Sequence, residues 1–262
     1  MTTSTTAART RPVWLATTKA LFRVHLRVAV WFWAALAVVL IGGHVLMDWI
    51  IPGRALIARY ATQPLIWFAF SMAIIVLTAY LPVHVTSGRT RRSFIRANLA
   101  TALLIGLLHG ALLALTVGIE RSVFASIVDP ASGQGPFLYW GSASGLADPA
   151  AGQGPFTYWD SVWGIAVAQM LVMIAAVLSG LLIAMTYYRT SPLKGTLLLV
   201  VTVTPLLAVL ALMAADAEIQ NWLGMPTGLS TAALISASVI VAMATVFHLT
   251  TRHVPIRSVE QK

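Results

Sequence analysis

Of the 262 residues, 58% are hydrophobic and only 10% are charged, and the mean hydropathy is +0.84. Soluble domains carry about 25% charged residues, so this chain cannot cover its surface with polar groups, and an ordinary soluble fold is excluded. The formal charge of +9 must be divided by side of a membrane before it says anything about partners. Cysteine is absent, which removes disulfides, thiolate nucleophiles and Cys-ligated metal.

Residues 1–12 are polar and Thr-rich. The stretch 13–27 has neither Pro nor Gly and carries Lys19, Arg23 and Arg27 at every fourth position, a basic stripe flanked by Trp14, Leu15, Leu21, Phe22 and Leu26. It reads as a short interfacial helix whose long side chains reach lipid phosphates, or equally as a plain extension of the first span. Six uncharged runs follow, at 28–47, 64–84, 97–119, 162–187, 196–213 and 229–250. Each has the roughly 20 residues that a helix needs to cross about 30 Å of hydrocarbon. The first is too long for a signal-peptide core and no cleavage site follows it, so it reads as a retained helix. The expected fold class is all-α: a polytopic membrane protein with six transmembrane helices, cytoplasmic termini and a short N-terminal interfacial helix. Its expected divisions are a tail and interfacial helix at 1–27, a transmembrane domain at 28–250 and a tail at 251–262.

Orientation follows from Lys and Arg, which are retained on the cytoplasmic side. With both termini inside, the inner segments hold Arg9, Arg11, Lys19, Arg23 and Arg27, then Arg89, Arg91, Arg92 and Arg96, then Arg189 and Lys194, and finally Arg252, Arg257 and Lys262. Only Arg54, Arg59 and Arg121 fall outside, together with every acidic residue except Glu260. The basicity therefore reports orientation and contact with anionic lipid in a cell (plasma or inner) membrane, and gives no sign of nucleic acid.

The longest loop, 120–161, is external and contains a tandem duplication. Asp129-Pro-Ala-Ser-Gly-Gln-Gly-Pro-Phe-Leu-Tyr-Trp140 returns 19 residues later as Asp148-Pro-Ala-Ala-Gly-Gln-Gly-Pro-Phe-Thr-Tyr-Trp159. Two copies are too few for a solenoid. They read as a local duplication in a tolerant loop, or as paired Tyr-Trp anchors at the headgroup layer.

Reactive arrangements are scarce. None of the three lysines, Lys19, Lys194 and Lys262, follows a glycine, so there is no phosphate-cradling G-x-x-x-x-G-K-[ST] loop. H-E-x-x-H is also missing. Gly141-Ser-Ala-Ser-Gly145 has Ala143 where a nucleophile elbow needs Ser. The middles of the spans hold no carboxylate, which argues against a proton relay. His109 is the one ionisable residue expected at membrane depth. His84 and His248 lie near the inner ends of the second and sixth spans and are the histidines able to meet as axial haem ligands. A redox protein holding haem between them is one alternative, and a scaffold or immunity protein acting through its outer loop is another. No catalytic, metal-binding or cofactor-binding residue is assigned.

Gly106-Leu-Leu-His-Gly110 is a G-x-x-x-G that permits close helix approach, either within the bundle or between protomers. The sixth span has a similar run of small residues in Ala233, Ala237, Ser238 and Ala242. The strongest local feature is the loop after the second span, Pro82-Val-His-Val-Thr-Ser-Gly-Arg-Thr-Arg-Arg-Ser-Phe-Ile-Arg96. Charge retention explains its arginines. Gly88 and Phe94 suggest more: a short helix with an exposed aromatic anchor among basic residues, suited to a groove on another protein.

With these residues in place, the chain resembles a type-2 ABC-transporter permease of the exporter class. The resemblance covers most of the chain in layout, and in motif the Gly-x-x-Arg-x-x-Phe segment between Leu81 and about Leu115. It implies that Gly88, Arg89, Thr90, Arg91, Arg92, Ser93, Phe94 and Arg96 form a coupling loop docking on a separate ABC ATPase subunit, which holds ATP and Mg. It also implies that the Lys19–Arg27 segment is the interfacial helix, and that a second permease copy completes the path. The importers' E-A-A…G signature is absent from Tyr188–Gly195, which favours export, and the apolar, aromatic spans with Trp31, Phe32, Trp33, Trp67, Phe68 and Phe70 are compatible with a hydrophobic, peptide or lipid-like substrate.

Overall fold

In hydrocarbon every backbone N–H and C=O must find an internal partner, which leaves helices as the simplest solution for such apolar runs. A computed structural model describes residues 12–50, 58–125, 162–214 and 229–252, and all of its regular elements are helical. They are α1 (Val13–Ile50), a 3₁₀ turn (Ala58–Ala61), α2 (Thr62–Thr86), α3 (Arg91–Ala125), α4 (Val162–Arg189), α5 (Pro192–Ala214) and α6 (Leu229–Arg252). Six helices are long and apolar enough to cross a membrane, so the chain is built as a multi-pass membrane protein. The duplicated units at 129–140 and 148–159 and both tails lie outside the described residues.

Helix lengths differ from the apolar runs in an informative way. α1 has 38 residues and α3 has 35, about 57 and 52 Å at 1.5 Å per residue, well beyond the hydrocarbon thickness. No break occurs near residue 28, so the short interfacial helix expected at 19–27 is not a separate element. Lys19, Arg23 and Arg27 ride on the lower half of α1 itself, the continuous extension that the sequence also allowed. The reason is packing: Leu21, His25 and Ala29 are buried, and Leu21 shares a cluster with Met72 and Val76 of α2 and Ala97 of α3. This stretch is therefore held by tertiary contacts and does not lie free along a lipid surface.

α4 is the central helix. Of its most apolar stretch 83% is buried, against 17% for α1 and 22% for α5 and α6. α2, α3, α5 and α6 surround it, and α1 leans on the outer side of α3. The α3–α4 seam is where small residues matter. A Cβ built on Gly106 would stand 2.9 Å from Ile174 Cα, and one on Gly110 would stand 2.6 Å from Met170 Cα. Both glycines thus let two backbones touch within the bundle. Ala102 and Ala114 continue the row at the same four-residue spacing, both buried. α4 and α5 are tied by Ser179 Oγ, which donates to Thr202 O at 2.8 Å.

α1 and α3 run parallel in a fixed register. Trp33 Nε1 donates to His109 Nδ1 at 3.0 Å across a separation of 76 residues. The pair His44 Nε2–Glu120 Oε1, at 2.8 Å, repeats that separation one end higher. Leu21 and Ala97, in one buried cluster, repeat it at the lower end.

Candidate functional site

The α2–α3 connection is built to be stiff. α2 ends in a Schellman motif, with Gly88 in the left-handed region at φ 75. The Arg89 N–H donates to His84 O at 3.3 Å and the Gly88 N–H to Val85 O at 3.0 Å, the bonds that close such a cap. A side chain at Gly88 would suffer the left-handed penalty that glycine avoids. One residue later Thr90 caps α3: its Oγ1 accepts from the Ser93 N–H at 3.3 Å, in the pattern of an N-cap bond to the third helical residue.

The two caps are cross-linked. Ser93 Oγ donates to Thr90 O at 2.6 Å, which commits the hydroxyl proton. His84 Nε2, 3.0 Å from the same oxygen, is then the donor to it. The His84 and Phe94 rings lie 5.0 Å apart. Between the helices the chain therefore has little freedom.

This geometry corrects one expectation. Phe94 is not an exposed anchor: it is 0% exposed and belongs to the main core with Leu81 and Ile95. Nor is there a separate short helix, because α3 begins at Arg91 and runs unbroken to Ala125. Once Thr90 caps α3, the 3–4 periodicity places Phe94 on the face of Ala97, Asn98, Thr101 and Ile105, all buried. Asn98 Nδ2 donates to Phe94 O at 3.0 Å and reinforces that turn. What the connection presents outward is Gly88, Arg89, Thr90, Arg92 and Arg96, all exposed, with Arg91 and Ser93 half-buried. The site is thus an arginine-bearing turn braced from beneath by an aromatic.

Two polar contacts between α1 and α3 were not legible beforehand. His109, 1% exposed, accepts from Trp33, and an indole N–H can only donate, so His109 is the neutral tautomer protonated at Nε2. The Phe68 ring stands edge-on to His109 with centroids 5.9 Å apart, and Phe32 stacks on Phe68 at 4.1 Å. At the other end Glu120 is 6% exposed. Besides meeting His44, it accepts from the Ala58 N–H at 3.0 and 3.1 Å through its two oxygens. The sequence shows each residue at a helix end but not the parallel register that pairs them.

His25 also lies inside the bundle. It is 5% exposed, with Nδ1 donating to Leu21 O at 3.0 Å. Of the two histidines considered as axial ligands, His84 is occupied with Ser93 as described, and His248 is half-buried on α6. Among the described residues no three His, Cys, Asp or Glu side chains gather as a metal site. The small residues of α6 divide by face: Ala233 and Ala237 are half-buried, whereas Ser238 and Ala242 are exposed. Searches for related proteins found no matching family model, no matching curated protein and no matching solved structure.

Proposed function

We propose that this chain is the membrane-embedded permease subunit of an ATP-driven ABC transporter of the exporter class, working with a second permease copy in a cell membrane. The substrate class is hydrophobic, peptide or lipid-like. A separate ABC ATPase subunit holds ATP and Mg and docks on the α2–α3 turn. The termini and that turn face the cytoplasm, in keeping with the distribution of Lys and Arg.

The observation that carries the reading is the stiffness of the turn together with its exposed arginines. Transmitting a push requires a contact patch that does not bend, joined to elements that move as units. Arg89, Arg92 and Arg96 supply the patch, and the Schellman cap, the Thr90 cap and the His84–Ser93–Phe94 brace join it to α2 and α3. Phe94 acts by locking the turn to the core rather than by entering a partner. An acidic, concave ATPase surface is the complementary face.

Affinity purification of the tagged chain from its native membrane, with any ATPase subunit assayed in the eluate, tests this. Replacing Arg89, Arg92 and Arg96 with alanine should release the ATPase while the permease stays folded. Retention of the ATPase by that variant would overturn the docking assignment. The absence of Cys makes orientation accessible as well: Thr90→Cys should escape, and Ser142→Cys should accept, an impermeant maleimide in intact cells.

A further inference from the structure

The basic stripe of α1 climbs the outer face of the helix to the edge of the hydrocarbon. Lys19, Arg23 and Arg27 are all exposed. They stand two residues, or about 200° of helical rotation, from Leu21, His25 and Ala29, which are buried against the rest of the bundle. The stripe therefore points directly away from the protein.

The 76-residue register gives its height. It levels Arg23 with Leu99 and Arg27 with Leu103 of α3. Arg27 thus sits about 10 Å further into the bundle than Arg96, the last charge before the apolar run of α3. The His44–Glu120 layer lies roughly 25 Å beyond Arg27, so Arg27 is within a turn of the hydrocarbon boundary for a core about 30 Å thick. Helical side chains tilt toward their own N-terminus, which on α1 carries the guanidinium back toward that boundary, at phosphate level.

Nothing in the described chain neutralises this charge. The carboxylates among the described residues are Asp48 and Glu120, both at the opposite end of α1 and α3. The surroundings are apolar and outward-facing: Leu26 is 38%, Val30 59% and Trp31 78% exposed. A ligand for this face must offer a negative group at the level of Arg23 and Arg27 and hydrocarbon at the level of Val30 and Trp31. An acidic helix of another protein would meet the charge but would place peptide where this face presents only apolar side chains. A phospholipid has both parts in the required order.

We infer that the outer face of α1 binds an anionic phospholipid, its phosphate held between Arg23 and Arg27 with Lys19 behind them and its acyl chains along Val30 and Trp31. This site does not depend on the ATPase reading and would hold for a membrane protein of another function.

The test uses the full chain in a neutral detergent. Its thermal midpoint is followed while phosphatidylglycerol, phosphatidylcholine or inorganic phosphate is added. Phosphatidylglycerol should raise the midpoint at concentrations where the other two do not. Attraction of a basic residue to an anionic headgroup corresponds to about fivefold in affinity, or on the order of 100-fold for three. The variant K19Q/R23Q/R27Q should lose affinity on that scale, whereas R92Q/R96Q should keep the wild-type titration curve. If the triple variant does not fold, R27Q alone should weaken binding about fivefold. Equal responses to the two lipids, a matching response to inorganic phosphate, or an unchanged curve for K19Q/R23Q/R27Q or, in its place, R27Q would each overturn the assignment.

Discussion

Gly110→Ala is the sharpest test of how the bundle is held together. The new Cβ would lie 2.6 Å from Met170 Cα and 2.5 Å from Met170 N. Ordinary contacts begin near 3.4 Å, so α4 must retreat by close to 1 Å. The obstacle is backbone, and no rotamer change relieves it. Overpacking of this kind costs about 1–3 kcal/mol, offset by the ~1 kcal/mol that alanine gains over glycine inside a helix. The net loss is then about 1–2 kcal/mol, since backbone against backbone belongs at the upper end of the range. For a chain of this size that is a fall of roughly 2–8 °C in thermal midpoint. Gly42→Ala is the internal control: nothing lies within 4 Å of its Cβ, so the same change should be neutral or mildly stabilising. The assay is thermal unfolding in detergent at several protein concentrations. A Gly110→Ala variant as stable as Gly42→Ala would refute the α3–α4 contact. A loss that grew on dilution would place these glycines between protomers instead.

Phe94→Ala empties a fully buried aromatic site and should cost about 3–5 kcal/mol in unfolding experiments; Arg92→Ala beside it should stay within about 0.5 kcal/mol. Gly88→Ala forces a Cβ into the left-handed region and should cost about 1–2 kcal/mol, with Gly88→Asn closer to wild type because Asn tolerates that conformation. A double-mutant cycle on Trp33→Phe and His109→Phe should give a coupling of about 0.6 kcal/mol, the usual size for hydrogen bonds between membrane helices; zero coupling would remove the α1–α3 register. Glu120→Ala strips the Ala58 N–H of its acceptor and should destabilise by about 1–3 kcal/mol, as read by the same thermal unfolding.

The sequence carried the membrane class and the number of spans, because long uncharged runs admit one physical solution in lipid. It carried Gly106 and Gly110 as a packing surface, but not α4 as the partner, since a small residue says that something approaches without saying what. Phe94 was misjudged for a definable reason. With the segment from Ser87 to Arg96 read as a connection carrying its own short helix, an aromatic among arginines looks exposed; with Thr90 recognised as the N-cap of α3 itself, the same residue falls on the buried face of that long helix. The available signal was Thr90 itself, a favoured N-cap residue type standing two residues after Gly88 and just ahead of the helical run. The His44–Glu120 and Trp33–His109 pairs could not be read, because they depend on which helices lie side by side and in what register. The extension of α1 below residue 28 was legible only as one of two options, and the burial of Leu21 and His25 decides between them.

The small residues on α3 also bear on how a displacement at the turn would travel. Asn98, Ala102, Gly106, Gly110 and Ala114 recur every four residues, and Asn98, Ala102 and Ala114 are buried. With glycine at the tightest positions, the backbones of α3 and α4 come into direct contact at Met170 and Ile174. α4 in turn bonds to α5 through Ser179 and to α6 through Arg189 Nη1, which donates to Thr250 O at 2.8 Å. On the proposed reading, a force applied at Arg89 and Arg92 passes through the caps into α2 and α3, and from α3 into the central helix as a rigid movement. Stiffness at the seam would then matter as much as stiffness at the turn. Gly110→Ala should leave binding of the ATPase intact while weakening its stimulation by substrate, because docking uses the arginines and transmission uses the seam. If binding and stimulation fell together, the seam would be serving only to hold the fold.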